Sequence, residues 1–224
     1  MNSERKGMIK IIGTHHFIKE DEIKKQIEEF NPDIVLVELC NGRITVIEHP
    51  ELAVPERFSL LNWIVNIIKK KAEKEGEEYG SDMISAYKIS KKKGIPVGLI
   101  DRPLVETKVF FKTIPLNEKI TMFNEVRKFS SKKIKISDVI NEVDNSNIDE
   151  VLFKLKLKCP NLYYYLVTSR DEYMISKIKS YLYDYPNKKI LIFIGKGHLK
   201  QIESNLFKSN SIAEVVKGGN KRDE

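Results

Sequence analysis

The 224-residue chain contains four histidines, His15, His16, His49 and His198. Two of them share a local pattern. Ile11-Ile12-Gly13-Thr14-His15-His16 and Phe193-Ile194-Gly195-Lys196-Gly197-His198 each read as an apolar strand, then G-x-x-H, then a helix. This spacing predicts both imidazoles at the C-terminal lip of a strand, where ligands bind in open α/β sheets. Glycine at the lip lets the backbone turn and leaves space above the strand. A third group is Glu38, within the apolar run Val35-Leu36-Val37-Glu38-Leu39. A carboxylate among such neighbours is costly to bury unless paired or bound to a metal. Pairing with Arg43 or a lysine is one account of it. The other is a metal ligand or general base at the same lip. Two histidines and one carboxylate with an open position form a known hydrolytic metal set. Such an ion polarises a carbonyl and lowers the pKa of water. On the metal reading the site is His16, His198 and Glu38; the other account of the two histidines is that they cap or pack at loop tips. His15 lies outside the G-x-x-H register and is expected to point elsewhere, and His49, before Pro50, reads as a surface residue. Cys40 is either a thiol nucleophile beside a histidine or a small buried residue after a strand.

The elements that must position these groups alternate strand and helix. Met8–Gly13 reads as a buried strand, about Glu20–Phe30 as an amphipathic helix, and Ile34–Leu39 as a second strand, nearly all apolar as in a sheet covered on both faces. Strand, helix and strand over about 30 residues form a βαβ unit. Helices are expected over Phe58–Lys74 and Ser81–Lys93, and a third strand over Ile95–Ile100. From Val105 to about Tyr183 only helical spacing appears, for example Ile136, Val139, Ile140 and Val143; the Tyr163–Tyr165 run suits helix packing better than base stacking. Lys189–Gly195 is a late strand, Leu199–Phe207 a helix and Ile212–Lys217 a short edge strand. The expectation is an α/β fold in a single domain over residues 1–224, a largely β core of βαβ units flanked by helices. Residues 113–187 are its mainly helical segment.

Composition excludes other classes. Apolar residues make up 41% and charged residues 32%, too apolar for a disordered chain and too charged for a membrane bundle. The net charge is +7, and only seven of the 39 cations are arginine. Lysine lacks the forked phosphate recognition of arginine, so nucleic acid is disfavoured as a partner. Cys40 and Cys159 sit in no C-x-x-C or metal-knuckle spacing, which favours a reducing compartment and a cytoplasmic location. Met1–Gly7 lacks the apolar core of a signal peptide. The longest mostly apolar stretch, Phe58–Ile68, is too short to span a bilayer. Its charged end, Lys69–Lys71, fits a core helix better than a membrane-surface segment.

The segments GTHH, NPDIVLVELCNGR, YGSDMISAYKISKKKGIPVGLIDRP, TSRDEYMISKI and ILIFIGKGHLKQI together resemble the TraB/PrgY family. They are more distantly similar to the Tiki metalloproteases and the erythromycin-esterase-like enzymes. The resemblance covers about residues 8–112 and 168–203. It places the family pattern on Gly13 and His16, on Glu38, Cys40 and Arg43, on Gly80, Asp82 and Met83, on Asp101 and Arg102, on Arg170, Asp171, Tyr173 and Met174, and on Gly195 and His198. Asp82 stands where relatives usually carry glutamate. In the Tiki branch the two histidines and the glutamate are implicated in peptide cleavage with a divalent metal, here Mn²⁺, Co²⁺ or Zn²⁺. In the TraB/PrgY branch the associated biology is shutdown of a peptide mating pheromone. The resemblance implies a peptide or ester hydrolase using water activated by the metal, with catalytic Glu38, Arg43 and Arg170. It puts Arg102, Asp82, Asp101 and Tyr173 on the substrate side. The arginines bind an anionic group or an oxyanion, or else pair with Glu38, Asp82, Asp101 or Asp171 in a structural network. Tyr173 and Met174 also read as core on one helix face. A peptide or small-molecule substrate is expected, and a homodimer is open. Many archaeal relatives carry C-terminal membrane helices; this sequence ends before any such segment, so no stable membrane insertion is expected. The alternative is a binding module that holds a peptide or small anion without turnover.

Overall fold

The computed structural model describes residues 7–14, 18–52, 66, 70, 73, 81–131, 148–207 and 215–217. In chain order these form β1 (Met8–Thr14), α1 (Glu20–Phe30), β2 (Ile34–Val37), α2 (Asn41–Glu48), α3 (Ser81–Lys92), β3 (Val97–Leu99), α4 (Leu104–Thr113), α5 (Leu116–Ser131), α6 (Ile148–Lys158), α7 (Pro160–Tyr163), α8 (Ser169–Asp184), β4 (Lys189–Gly195), α9 (Lys196–Phe207) and β5 (Val215–Lys217). The expected helix over Phe58–Lys74 lies almost wholly outside the described residues. So do His15 and His16. The fold class is α/β, as the strand and helix alternation implies.

By its contacts the chain divides into two interleaved units. The first contains Met1–Leu39, Ser81–Asp101 and Asp171–Glu224; the second contains Cys40–Gly80 and Arg102–Arg170. The first, the sheet unit, holds a five-stranded sheet in the order β3-β2-β4-β1-β5, with every pairing parallel. Its central strands are isoleucine- and valine-rich because both faces are covered. β4 runs Ile190–Gly195 buried throughout, and β2 is buried at all four positions. On one face Ile9, Ile11, Ile34, Leu36, Ile190, Ile192 and Ile194 pack with Met174 and Ile178 of α8 and with Ile202 and Leu206 of α9. Each such side chain contributes about 1.5–3 kcal/mol when fully buried. On the other face α1 lies against α3, and α3 against β2. α1 buries Ile23, Ile27 and Phe30, carries Glu20, Asp21 and Glu22 in its first turn, and stops at Asn31, whose left-handed φ of 47° closes the helix.

Two glycines set how closely these layers approach. A Cβ at Gly13 would lie 2.8 Å from Leu199 Cδ2, so α9 rests directly on the end of β1. A Cβ at Gly98 would lie 2.5 Å from Leu36 Cδ2 and 2.6 Å from the Tyr181 ring.

The two strands carrying G-x-x-H, from opposite ends of the chain, are neighbours. Gly13 pairs with Ile194 and Thr14 with Gly195. The two glycines are therefore offset by one residue and fall on opposite faces of the sheet.

The second, helical unit is held by polar anchors as well as apolar contacts. Phe111, Ile114, Cys159 and Leu162 form its described core cluster. The buried Glu118 carboxylate accepts hydrogen bonds from the backbone N–H of Asn161 (3.2 Å) and of Leu162 (3.0 Å) and from Asn161 Nδ2 (2.6 Å), closing the start of α7. After α7 the backbone widens into a π-helical turn over Tyr164–Thr168.

Candidate functional site

Because the sheet is parallel, β1, β2, β3 and β4 all end on one edge, at Thr14, Val37, Leu99 and Gly195. The central order β2-β4-β1 brings three of these ends side by side. Glu38 is not inside the strand, as its apolar setting suggests, but is the first residue beyond it. Its N–H still bonds to Phe193 O (3.0 Å), and the tight turn Leu39 N–H to Val37 O (2.7 Å) then ends the strand.

The side chain of Glu38 is 4% exposed. Its Oε2 accepts the backbone N–H of Gly195 at 2.5 Å. That N–H immediately precedes α9, where orphan donors and the helix dipole favour a negative charge. His198 lies in the first turn of α9 rather than before the helix, because the helix already starts at Lys196. Its Nε2 faces Glu38 Oε1 at 3.6 Å. Its Nδ1 stands 2.6 Å from Asp171 Oδ1. Asp171 sits in the first turn of α8, and its side chain is 4% exposed. The edge thus holds a buried Glu38–His198–Asp171 series.

The structure brings Glu38 and His198 together. Asp82 is fully buried in the first turn of α3, where its Oδ1 accepts the Met83 N–H at 2.7 Å. Asp101 is buried just past β3, its N–H bonded to Leu39 O at 3.1 Å. Tyr173 is half-buried with Lys177 Nζ 5.7 Å above its ring, and the adjacent Met174 is fully buried.

The three arginines belong to the helical unit. Arg43 is exposed on α2. Arg170 is half-buried, with Nη1 3.5 Å from Leu166 O. Arg102 is buried, donating to Tyr165 O (2.9 Å) and Ser169 Oγ (3.1 Å), and its guanidinium lies 4.4 Å from the Tyr165 ring centroid and 5.5 Å from that of Phe110. These contacts hold Arg102 within the helical unit. Cys40 is buried, while His49 is exposed beside Glu51 at 3.2 Å.

The donor chemistry suits a divalent ion. Two ligands bound at about 2.1 Å with tetrahedral spacing stand about 3.4 Å apart, close to the 3.6 Å between Glu38 Oε1 and His198 Nε2. Imidazole nitrogen with carboxylate oxygen matches Zn²⁺, Mn²⁺ or Co²⁺. Among the described residues no three His, Cys, Asp or Glu side chains are arranged to hold a metal ion; the third expected ligand, His16, lies outside them.

Asp171 is the site residue that sequence reasoning missed as a partner of histidine. Its signal was faint: an acidic residue in the first turn of a helix whose apolar face, Met174 and Ile178, reaches the core.

Among the described residues no helix is long and apolar enough to cross a membrane. The chain is 27% identical over 209 residues to the uncharacterized protein MJ1365 of Methanocaldococcus jannaschii, an alignment covering 87% of this chain and 52% of the relative. The chain therefore spans about half the length of that curated relative. The model of the TraB/PrgY/gumN family matches residues 58–208, which is more than half of the sequence. The chain belongs to the TraB/PrgY/gumN family.

Proposed function

We propose that the chain is a metal-dependent hydrolase acting on a peptide or ester bond, with His16, His198 and Glu38 as ligands. The observation that carries this reading is the facing pair at the sheet edge. His198 Nε2 and Glu38 Oε1 lie 3.6 Å apart in a buried setting, while the second atom of each side chain is engaged by Asp171 and by the Gly195 N–H. Two electron-rich atoms so placed suit a shared cation. A divalent ion bound there would polarise a carbonyl and lower the pKa of water.

The residues of the chain do the rest. Gly195 N–H holds one carboxylate oxygen, so Glu38 presents the other in a fixed direction. In the variant of this reading where Glu38 is not a ligand, the same oxygen takes the proton of water as a general base. Arg43 or Arg170 is assigned to the charge that develops on the carbonyl oxygen. Arg102, Asp82, Asp101 and Tyr173 are assigned to the substrate side. The buried, free thiols Cys40 and Cys159 agree with a reducing, cytoplasmic setting.

The test is hydrolysis of a peptide library and of small esters by the full chain loaded with Zn²⁺, Mn²⁺ or Co²⁺. Cleavage should disappear with chelator and in His198→Ala and His16→Ala. Tight, metal-independent peptide binding without cleavage would replace this reading with that of a binding module.

A further inference from the structure

The Asp171–His198 contact carries an inference of its own. At 2.6 Å it lies at the short, charge-assisted end of the range. An ionised carboxylate only accepts, so the proton in this bond sits on Nδ1. Glu38 Oε1 is the competing acceptor and stands farther off, 3.6 Å against 2.6 Å, so the closer contact assigns the single proton of a neutral ring to Nδ1 and leaves the lone pair on Nε2. That lone pair is the one facing Glu38 Oε1.

We infer that Asp171 is the positioning residue of the site, holding His198 in the Nδ1–H tautomer so that Nε2 is presented to a cation or a proton. The inference deepens the hydrolase proposal and rests on it for its catalytic consequence. The tautomer itself rests on the two distances, 2.6 Å at Nδ1 against 3.6 Å at Nε2, and not on that proposal. Carboxylates behind ligating histidines fix ring orientation and raise ligand basicity, and losing one typically costs about 10–100-fold in metal affinity.

The test uses the full chain labelled with ¹⁵N at histidine. Two-bond proton–nitrogen correlations report which ring nitrogen carries the proton, and Zn²⁺ affinity is measured by chelator competition. In the wild-type chain His198 should show Nδ1–H. In Asp171→Leu, which offers no acceptor, the proton should move to Nε2, where Glu38 accepts it, and Zn²⁺ affinity should fall about 10–100-fold. Asp171→Glu should restore much of the wild-type pattern. A wild-type Nε2–H tautomer would overturn the inference, as would an unchanged tautomer and Zn²⁺ affinity within about twofold in Asp171→Leu. If Asp171→Leu does not fold, the wild-type spectrum decides. If the wild-type chain takes up no Zn²⁺, the hydrolase proposal fails while tautomer inversion still supports the role of Asp171.

Discussion

Glu38 offers a sharp separation of fold from function. Its carboxylate makes a 2.5 Å bond to Gly195 N–H and faces His198 Nε2 at 3.6 Å. Glu38→Ala removes a charged hydrogen bond, worth about 1.5–3 kcal/mol, and leaves a buried N–H without that acceptor. A loss near 3 kcal/mol is expected, which lowers Tm by roughly 6–12 °C for a chain of this size. Glu38→Gln behaves differently. Its amide oxygen still accepts from Gly195, at about 1 kcal/mol less than a carboxylate. Its amide N–H now points at the imidazole lone pair and returns part of that loss. Glu38→Gln should therefore stay within about 1 kcal/mol of wild type, below about 4 °C in Tm, while losing hydrolysis and metal uptake. Urea unfolding of the three proteins, followed by circular dichroism, reads the difference. Equal destabilisation by Gln and Ala would refute the reasoning, because the negative charge itself would then be holding the edge together.

Other outcomes follow from the same geometry. Glu118→Ala removes the acceptor of three hydrogen bonds at the start of α7 and should cost about 2–3 kcal/mol, with Glu118→Gln falling between it and wild type in urea unfolding. Gly98→Ala forces a methyl group against Leu36 and Tyr181 and should cost about 1–3 kcal/mol, read as a fall in Tm without loss of metal uptake. Burial, helped by the Glu118 charge, pushes the Cys159 thiol up, and burial likewise pushes the Tyr181 hydroxyl up. Both groups are raised in the folded state, so their contribution is complete below the unfolded thiol and phenol ranges. It is lost as pH rises through the folded values, and stability should decline above about pH 9. Cys159→Ser should flatten the first part of that decline in a pH series of unfolding curves.

What could be read from the sequence was what depends on local pattern. The strands Met8–Thr14, Ile34–Val37 and Lys189–Gly195 are short isoleucine- and valine-rich runs, as a doubly covered sheet favours. Duplication of G-x-x-H pointed to two strands sharing a lip, and the parallel pairing of Gly13 with Ile194 delivers that neighbourhood. Boundaries moved by a few residues where a turn or cap decides them. Glu38 drops out of β2 because Leu39 turns back on Val37, and His198 falls within α9 because that helix starts at Lys196. The partnership of Asp171 with His198 was not legible, since it depends on where α8 lands, 27 residues earlier in the chain. The setting of Arg102 was hidden for the same reason: it is enclosed by Tyr165, Ser169 and Phe110, residues that only the folded helical unit gathers around it.

The claim at the centre is that two imidazoles and a carboxylate share one ion. X-ray absorption of the full chain loaded with one equivalent of Zn²⁺ tests it directly. The account predicts a nitrogen and oxygen shell at about 2.0–2.2 Å with outer scattering from two imidazoles, falling to one in His198→Ala or His16→Ala. A shell without imidazole scattering, or one unchanged in both variants, would contradict it.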